Sequence, residues 1–218
     1  MKKSLFIFLI ALNLSFANDF TFQWASYTTY FKQNIDDRGI NIETAARYLD
    51  MTVILPKTIF SFNEDITAKI PPEELGNASI MSGEKRVPGY GGGLCQVSST
   101  LYATALYAGL SIYERKNHSK IVSYIPAGLD ATVSVEECVD LKIYNPYRCK
   151  LLIKASVFGN SLTVSICGTE PRPRDIEISV SKPQKIGQFV CTTTTRHVFS
   201  KNKLIFSQIV SRDTYIAE

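Results

Sequence analysis

The residues with the clearest chemical potential lie in a glycine-rich stretch near the middle of the chain. Gly91, Gly92 and Gly93 precede Cys95, where a helical pattern begins. A cysteine in the first turn of a helix lies next to free backbone N–H groups and the positive end of the helix dipole, which stabilise the thiolate. Glycines before it let a substrate approach the backbone closely. The pattern predicts a nucleophilic thiol; a buried or disulfide-bonded Cys95 is the structural alternative.

His118 and Asp130 follow Cys95 in the order that some thiol enzymes use. In such a triad the histidine accepts the thiol proton, and the acid orients the histidine ring. A helix-borne cysteine followed by His118 and Asp130 on predicted strands resembles papain-like and transglutaminase-like enzymes. Cys95, His118 and Asp130 are therefore the predicted catalytic residues. The structural alternatives are a turn-capping role for His118 and an Asx turn at Asp130.

The predicted substrate-binding residues surround the cysteine: Gly92, Gly93, Gln96, Ser98 and Ser99. Backbone N–H groups at the helix start, including that of Gln96, would donate hydrogen bonds to an oxyanion. The serine hydroxyls have a structural alternative, which their spacing favours: hydrogen bonds to preceding carbonyl groups of the helix. The glycines lack the following lysine of a phosphate-binding loop. With two histidines and no CxxC motif, the sequence predicts neither a metal site nor a cofactor.

The first 17 residues have the pattern of a secretory signal peptide. Lys2 and Lys3 precede an apolar run from Leu5 to Leu12, and residues 15–17 match a small-x-small cleavage site. An uncleaved anchor is the alternative, but the apolar run is short for a membrane-spanning helix. We expect an exported protein, periplasmic or extracellular. The chain has 24 basic and 20 acidic residues, a balance that argues against nucleic-acid binding.

The number of cysteines bears on the predicted nucleophile. An exported protein normally pairs its cysteines, and this chain has five. Disulfides between Cys138 and Cys149 and between Cys167 and Cys191 would leave Cys95 as the free thiol. Other pairings are equally compatible with the sequence.

Hydrophobic periodicity predicts an α+β fold, with N-terminal helices followed by an antiparallel β-sheet and a small C-terminal β extension. Helical spacing occurs over 41–49 and over about fourteen residues from Cys95 to a stop at Gly109. Six β-like runs follow, at 111–115, 119–125, 131–135, 140–144, 150–158 and 161–167. The predicted organisation is a signal peptide (1–17), an N-terminal extension (18–38), a core (39–170) and a β-rich C-terminal extension (171–218).

Several motifs together closely resemble the VanW-like family of bacterial envelope-associated proteins. They are NIETAA (41–46), FSFN (60–63), VPGYGGGLCQVSSTLY (87–102), ER (114–115), HS (118–119), SYIPAG (123–128) and DATV (130–133). The resemblance implies a role in the cell envelope, with peptidoglycan or its precursors as the implied target. It also carries over Cys95, His118 and Asp130 as the site.

Two functions are compatible with these observations. The first is a thiol-dependent acyltransferase or amide hydrolase that acts on peptidoglycan peptides or related envelope substrates. The second is a non-catalytic module that binds cell-wall peptide or glycan in the same cleft, with tyrosine and phenylalanine rings as stacking surfaces. Other envelope proteins are the further expected partners. An enzyme requires a free, ionisable Cys95, whereas a binding module tolerates its replacement.

Overall fold

The computed structural model describes residues 19–32, 36–82 and 85–217 of the 218-residue chain. The predicted signal peptide lies outside these residues. The α-helices of the described part are Arg38–Leu49 (α1), Phe62–Asp65 (α2) and Leu94–Ala108 (α3). Its strands are Phe22–Tyr30 (β1), Thr52–Ile54 (β2), Ile59–Ser61 (β3), Asn77–Ser82 (β4), Lys85–Tyr90 (β5), Ser111–Glu114 (β6), Lys142–Tyr144 (β7), Leu151–Phe158 (β8), Ser161–Gly168 (β9), Asp175–Val180 (β10), Gln184–Ile186 (β11), Phe189–Ser200 (β12) and Lys203–Ile216 (β13).

The strands form antiparallel sheets around one large core. The central sheet has the order β1-β9-β8-β2, and a smaller sheet has the order β3-β7-β6. Helix α3 packs on β1 and β9, whereas α1 packs on β8 and against α3. Strands β4 and β5 form a hairpin. In the C-terminal sheet, β10 and β11 both pair with β12, and β13 runs along the opposite edge of β12.

Helix α3 lies in the middle of the core because most of its residues are apolar or small on every side. Leu101 and Leu106 are fully buried, and so is Thr104, whose hydroxyl donates to the carbonyl of Thr100. Gly109 ends the helix with a φ of +80°, a left-handed conformation that glycine adopts without a steric cost. The helix predicted to stop at Gly109 is confirmed. No helix in the described residues has the length and apolar character needed to span a bilayer.

The predicted order of N-terminal helices followed by a sheet is wrong. The first described element is strand β1, at one edge of the central sheet, and the three α-helices lie between strands along the chain. The described structure is mostly antiparallel β-sheet. Strand β1 was not predicted because a bulge between Gln23 and Ala25 breaks its alternation, so that its buried side chains, Trp24 and Thr29, are five positions apart.

Two of the six predicted β-runs are not strands. Residues 119–125 and 131–135 join no sheet and take part at most in isolated bridges. In the second run, side chains of helix α3 bond to the backbone of Ala131, whereas Thr132 and Ser134 form only isolated bridges. The Ala131 N–H donates to Ser99 Oγ at 2.9 Å, and the Ala131 carbonyl accepts from Ser98 Oγ at 2.8 Å.

Gly93 allows helix α1 to approach the start of α3 closely. Its φ is +121°, and a Cβ at this position would lie 3.0 Å from both the Arg38 carbonyl oxygen and Ile42 Cγ1. Glycine is therefore required at this position for its backbone conformation and for the space that it leaves to α1.

Replacing Gly93 by alanine is expected to destabilise the protein more than the same change at Gly159. Gly159 also has a positive φ, of +58°, but no atom lies within 4 Å of its added Cβ. Gly159→Ala should cost about 1 kcal/mol for the backbone conformation alone. Gly93→Ala should cost about 3 kcal/mol, because α1 must also move. Urea unfolding measures both values, and equal costs would contradict the close approach of α1.

Candidate active site

Cys95 is the second residue of helix α3, and its side chain is half-buried. Its thiol faces the carbonyl of Val133 at 3.5 Å. Three hydroxyl groups donate to the Cys95 carbonyl: Ser99 Oγ at 2.6 Å, Ser98 Oγ at 3.2 Å and Tyr124 Oη at 3.3 Å. The turn that carries the thiol is thereby held in place.

His118 and Asp130 form a buried pair next to this thiol. His118 Nδ1 lies 2.7 Å from Asp130 Oδ2, and the His118 backbone N–H donates to the same oxygen at 2.7 Å. A side-chain hydrogen bond also joins His118 to Cys95. Because Nδ1 faces the carboxylate, Nε2 is the ring nitrogen left for the sulfur. The fold therefore brings together Cys95, His118 and Asp130, the three residues of the predicted triad.

The charges of this group favour a thiolate–imidazolium pair. Burial opposes ionisation of Cys95, but the hydrogen bond and positive charge of His118 outweigh it and hold the thiol pKa below its ordinary value. Burial also opposes protonation of His118, yet Asp130 and Cys95 raise its pKa to about 9. Burial likewise disfavours the Asp130 carboxylate, but hydrogen bonds from His118 and the charge of Arg115 keep the Asp130 pKa low.

Asp130 is fully buried, and four donor groups surround its carboxylate. Besides the two from His118, Arg115 Nη2 donates to Oδ1 at 3.2 Å, and Tyr215 Oη donates to Oδ1 at 2.6 Å. The Tyr215 oxygen in turn accepts from the Gly128 N–H at 2.7 Å. A buried carboxylate with this many donors stays ionised and fixed in orientation.

Arg115 extends this network to the C-terminal sheet. Its side chain is 6% exposed and forms ion pairs with Asp130 and, through Nη1, with Asp213 of strand β13. The Arg115 Nε–H also donates to the Asp130 carbonyl at 2.6 Å, and the guanidinium lies 4.8 Å over the Tyr102 ring. Two residues of β13, Asp213 and Tyr215, thus contact the groups that position His118.

The glycines of the predicted substrate-binding set shape the turn before Cys95. The Gly92 carbonyl accepts from Asn41 Nδ2 at 2.9 Å, which joins this turn to α1. The Gly93 carbonyl accepts from the Gln96 N–H at 2.9 Å, so this amide takes part in the first turn of α3. Gly93 itself contacts α1, as described above.

The polar side chains of this set are buried and bonded to protein groups. Gln96 Nε2 donates to Thr29 Oγ1 at 3.0 Å, and Gln96 Oε1 accepts from Arg38 Nη2 at 3.0 Å. Ser98 and Ser99 are also fully buried, and their hydroxyls bond to the Cys95 and Ala131 carbonyls. These contacts fit the structural alternative for the serines.

Sequence reasoning missed four residues close to the site: Arg38, Arg115, Tyr124 and Tyr215. Arg115 and Tyr124 lie within the family motifs, but a lone arginine or tyrosine has no spacing that marks a role. Arg38 lies before the first helical pattern, and Tyr215 is 85 positions from its partner Asp130. Only the fold brings them together.

The described residues contain no cluster of three or more His, Cys, Asp and Glu side chains placed to hold a metal ion. All five cysteines are free thiols in the structure. The pairings of Cys138 with Cys149 and of Cys167 with Cys191 are therefore not observed, and Cys95 is free.

The sequence motifs, together with the site that they build, define a member of a known family. The family described as VanW like protein matches residues 37–167, which is more than half of the chain, so the chain belongs to the VanW-like family. The predicted resemblance is confirmed. No solved structure matches the chain, and the similarity to papain-like and transglutaminase-like enzymes stays a prediction.

Two relatives show the same kinship. YoaR of Bacillus subtilis (strain 168), described as an uncharacterized protein, is 35% identical over 150 residues, covering 69% of this chain and 49% of YoaR. The vancomycin B-type resistance protein VanW of Enterococcus faecalis (strain ATCC 700802 / V583) is 29% identical over 121 residues, covering 52% of this chain and 43% of that protein. The chain thus matches less than half the length of these curated relatives.

Asp130→Asn is expected to lower the pKa of His118 from about 9 towards its ordinary value. The substitution removes the negative charge next to Nδ1, whereas burial continues to disfavour the imidazolium. NMR titration of the imidazole signals measures the shift. The chain has two histidines, so His197→Gln assigns the signals, and a dispersed amide spectrum shows that the variant is folded. An unchanged His118 pKa would contradict the pairing.

Arg115→Met is expected to lower the free energy of unfolding by about 3–5 kcal/mol, because it leaves Asp130 and Asp213 buried without their cation. Arg47→Met is the matched control: Arg47 pairs with Glu74, but its side chain is 63% exposed. An exposed ion pair contributes little, so this change should have little effect. Chemical unfolding compares the two variants, and similar losses would show that the Arg115 pairs do not hold the site together.

Proposed function

We propose that this VanW-like protein is a thiol-dependent acyltransferase or amide hydrolase that acts on peptide substrates of the cell envelope. The observation that carries the proposal is the hydrogen-bonded series Cys95, His118, Asp130, in which the half-buried Cys95 adjoins a buried imidazole and carboxylate. A structural cysteine has no need for a neighbour that favours its ionisation, whereas a nucleophile does.

The chemistry that this arrangement supports is acyl transfer in two steps. The Cys95 thiolate attacks the carbonyl carbon of an amide and forms a C–S bond, and the tetrahedral intermediate collapses as the C–N bond breaks. The protonated His118 gives its Nε2 proton to the departing amine. Water or a second amine, deprotonated by His118, then attacks the thioester and releases Cys95.

Each neighbour of the pair has a distinct part in these steps. Asp130 holds the proton on Nδ1, keeps Nε2 directed to the sulfur and stabilises the imidazolium. The positive end of α3 favours the thiolate and the negative oxygen of the intermediate. Because no disulfide joins Cys95 to another cysteine in the structure, its thiol is available for this reaction.

The substrate class and compartment are part of the proposal. Membership of the VanW-like family and the relative named as a vancomycin resistance protein support a cell-envelope target. The signal-peptide pattern supports an exported protein. Peptidoglycan peptides or related envelope peptides are therefore the proposed substrates, with peptide or glycan of the cell wall as the proposed partner.

Cys95 is expected to react with a neutral alkylating agent such as iodoacetamide well below the ordinary thiol pKa of about 8.5. His118→Ala should remove this reactivity at neutral pH and shift the profile upwards, because the variant lacks the hydrogen bond and the charge of His118, the two largest effects that oppose burial of the thiol. Peptide mass spectrometry of the unreduced protein measures each cysteine separately, and the exposed Cys138 is the internal reference.

Two outcomes would overturn the enzyme proposal. The first is a Cys95 that is inert across the pH range or disulfide-bonded in the exported protein. The second is a Cys95 profile that is the same in wild type and in His118→Ala. Either result would favour the non-catalytic wall-binding module, which tolerates Cys95→Ser.

A further inference from the structure

Arg38 is a cation held beside the nucleophile. Its Nη2 donates to Gln96 Oε1 at 3.0 Å, and its Cζ lies 5.5 Å from the centre of the Tyr124 ring. Gln96 directly follows Cys95, and Tyr124 Oη donates to the Cys95 carbonyl. Both groups that hold the guanidinium are thus attached to the turn that carries the thiol. Its position relative to the sulfur is fixed on two sides.

Arg38 has no carboxylate partner within the part of the chain that the structure describes. Arg115 and Arg47 form ion pairs there, whereas Arg38 forms none. Asp36 accepts a hydrogen bond from the backbone N–H of Arg38. A guanidinium has five N–H donors, and Gln96 takes up one of them. Among the described residues, Arg38 is therefore a partly buried cation next to the site whose other N–H donors have no side-chain acceptor and can bind a ligand.

The chemistry of a fixed guanidinium points to one class of ligand. Its planar fork of N–H groups matches the two oxygens of a carboxylate, and such bidentate pairs are strong and directional. The guanidinium is bonded to Gln96, the residue that follows Cys95, and its charge is also among the effects that favour the Cys95 thiolate. A substrate carboxylate bound by Arg38 would lie near the carbonyl that Cys95 attacks.

We propose that Arg38, held by Gln96 and Tyr124, is a carboxylate subsite, and that the acyl donor carries a carboxylate near its reactive carbonyl. This inference rests on the proposed thiol chemistry and narrows its substrates to anionic peptides. The carboxylate is either a side chain or a chain terminus, because both present the same pair of oxygens.

The test compares anionic and neutral alkylating agents of the same shape. Iodoacetate is paired with iodoacetamide, and bromoacetyl-glycine is paired with bromoacetyl-glycinamide. In the second pair, the carboxylate or carboxamide lies further from the carbon that the sulfur attacks. The ratio of anionic to neutral rate at Cys95 is expected to exceed the ratio at Cys138 about five- to tenfold for at least one pair. Increasing salt should reduce this preference.

Arg38→Gln is expected to lower the Cys95 ratio severalfold, towards that of Cys138. If this variant also has a smaller fraction of Cys95 in the thiolate form, both agents react more slowly by the same factor. The ratio of their rates therefore does not change for that reason. Arg38→Lys keeps the charge without the planar fork and should give an intermediate ratio. Arg47→Gln, on the same helix but exposed, is the matched control and should leave the ratio unchanged. Circular dichroism shows whether each variant is folded.

The outcomes separate this inference from the proposed function. A reactive Cys95 whose ratio equals that of Cys138, or does not respond to Arg38→Gln and Arg38→Lys, overturns the carboxylate subsite and leaves the thiol chemistry intact. A Cys95 inert to all four agents overturns both proposals. If Arg38→Gln does not fold, the salt dependence of the wild-type ratio and the ratio in Arg38→Lys still test the carboxylate subsite.

Discussion

The buried carboxylate of Asp130 is the constraint on which the rest of the site depends. A fully buried charge is costly unless it is paired and hydrogen-bonded. Here the partners come from two separate parts of the chain: Arg115 and His118 lie in one short segment, and Tyr215 lies in strand β13. Each must be in place for the carboxylate to stay ionised at low cost. The positions of these two segments and of the segment that carries Asp130 are therefore coupled through one side chain.

This coupling extends to the nucleophile through the next residue. The backbone of Ala131 bonds to the hydroxyls of Ser98 and Ser99, which also bond to the Cys95 carbonyl. The side chain of Asp130 thus orients His118, while the backbone of Ala131 holds the first turn of α3. The thiol and the imidazole are positioned from the same short segment. A displacement of this segment would move both partners together.

The sequence was informative where a residue acts within its own segment. The start of α3 and its end at Gly109 follow from local pattern, and both are observed. The Cys95, His118 and Asp130 order also suggested a triad, and the fold brings these residues into contact. What local pattern could not supply is the set of partners that depend on tertiary structure. Tyr215 and Arg38 have no motif, and their roles depend on chain segments far away in sequence.

The errors in the predicted fold have the same origin. Residues 131–135 alternate as a strand does, but side chains of α3 satisfy backbone groups that a ladder would otherwise pair. Strand β1 lacks clear alternation because of its bulge, and buried Thr29 is compatible with a core position only because Gln96 and Thr100 bond to its hydroxyl. Periodicity detects burial of apolar groups and does not detect burial made possible by specific hydrogen bonds.

The C-terminal sheet is part of the site, because it supplies partners for the buried polar groups around Asp130. Tyr215 and Asp213 lie beyond residues 37–167, the segment that matches the family. Without them, Asp130 Oδ1 would retain only Arg115, the Gly128 N–H would lose the Tyr215 oxygen, and Arg115 would lose one of its two carboxylates. Buried polar groups that lack hydrogen-bond partners lower the free energy of unfolding. In this chain, the family segment therefore relies on strand β13 to complete the surroundings of the residue that orients His118.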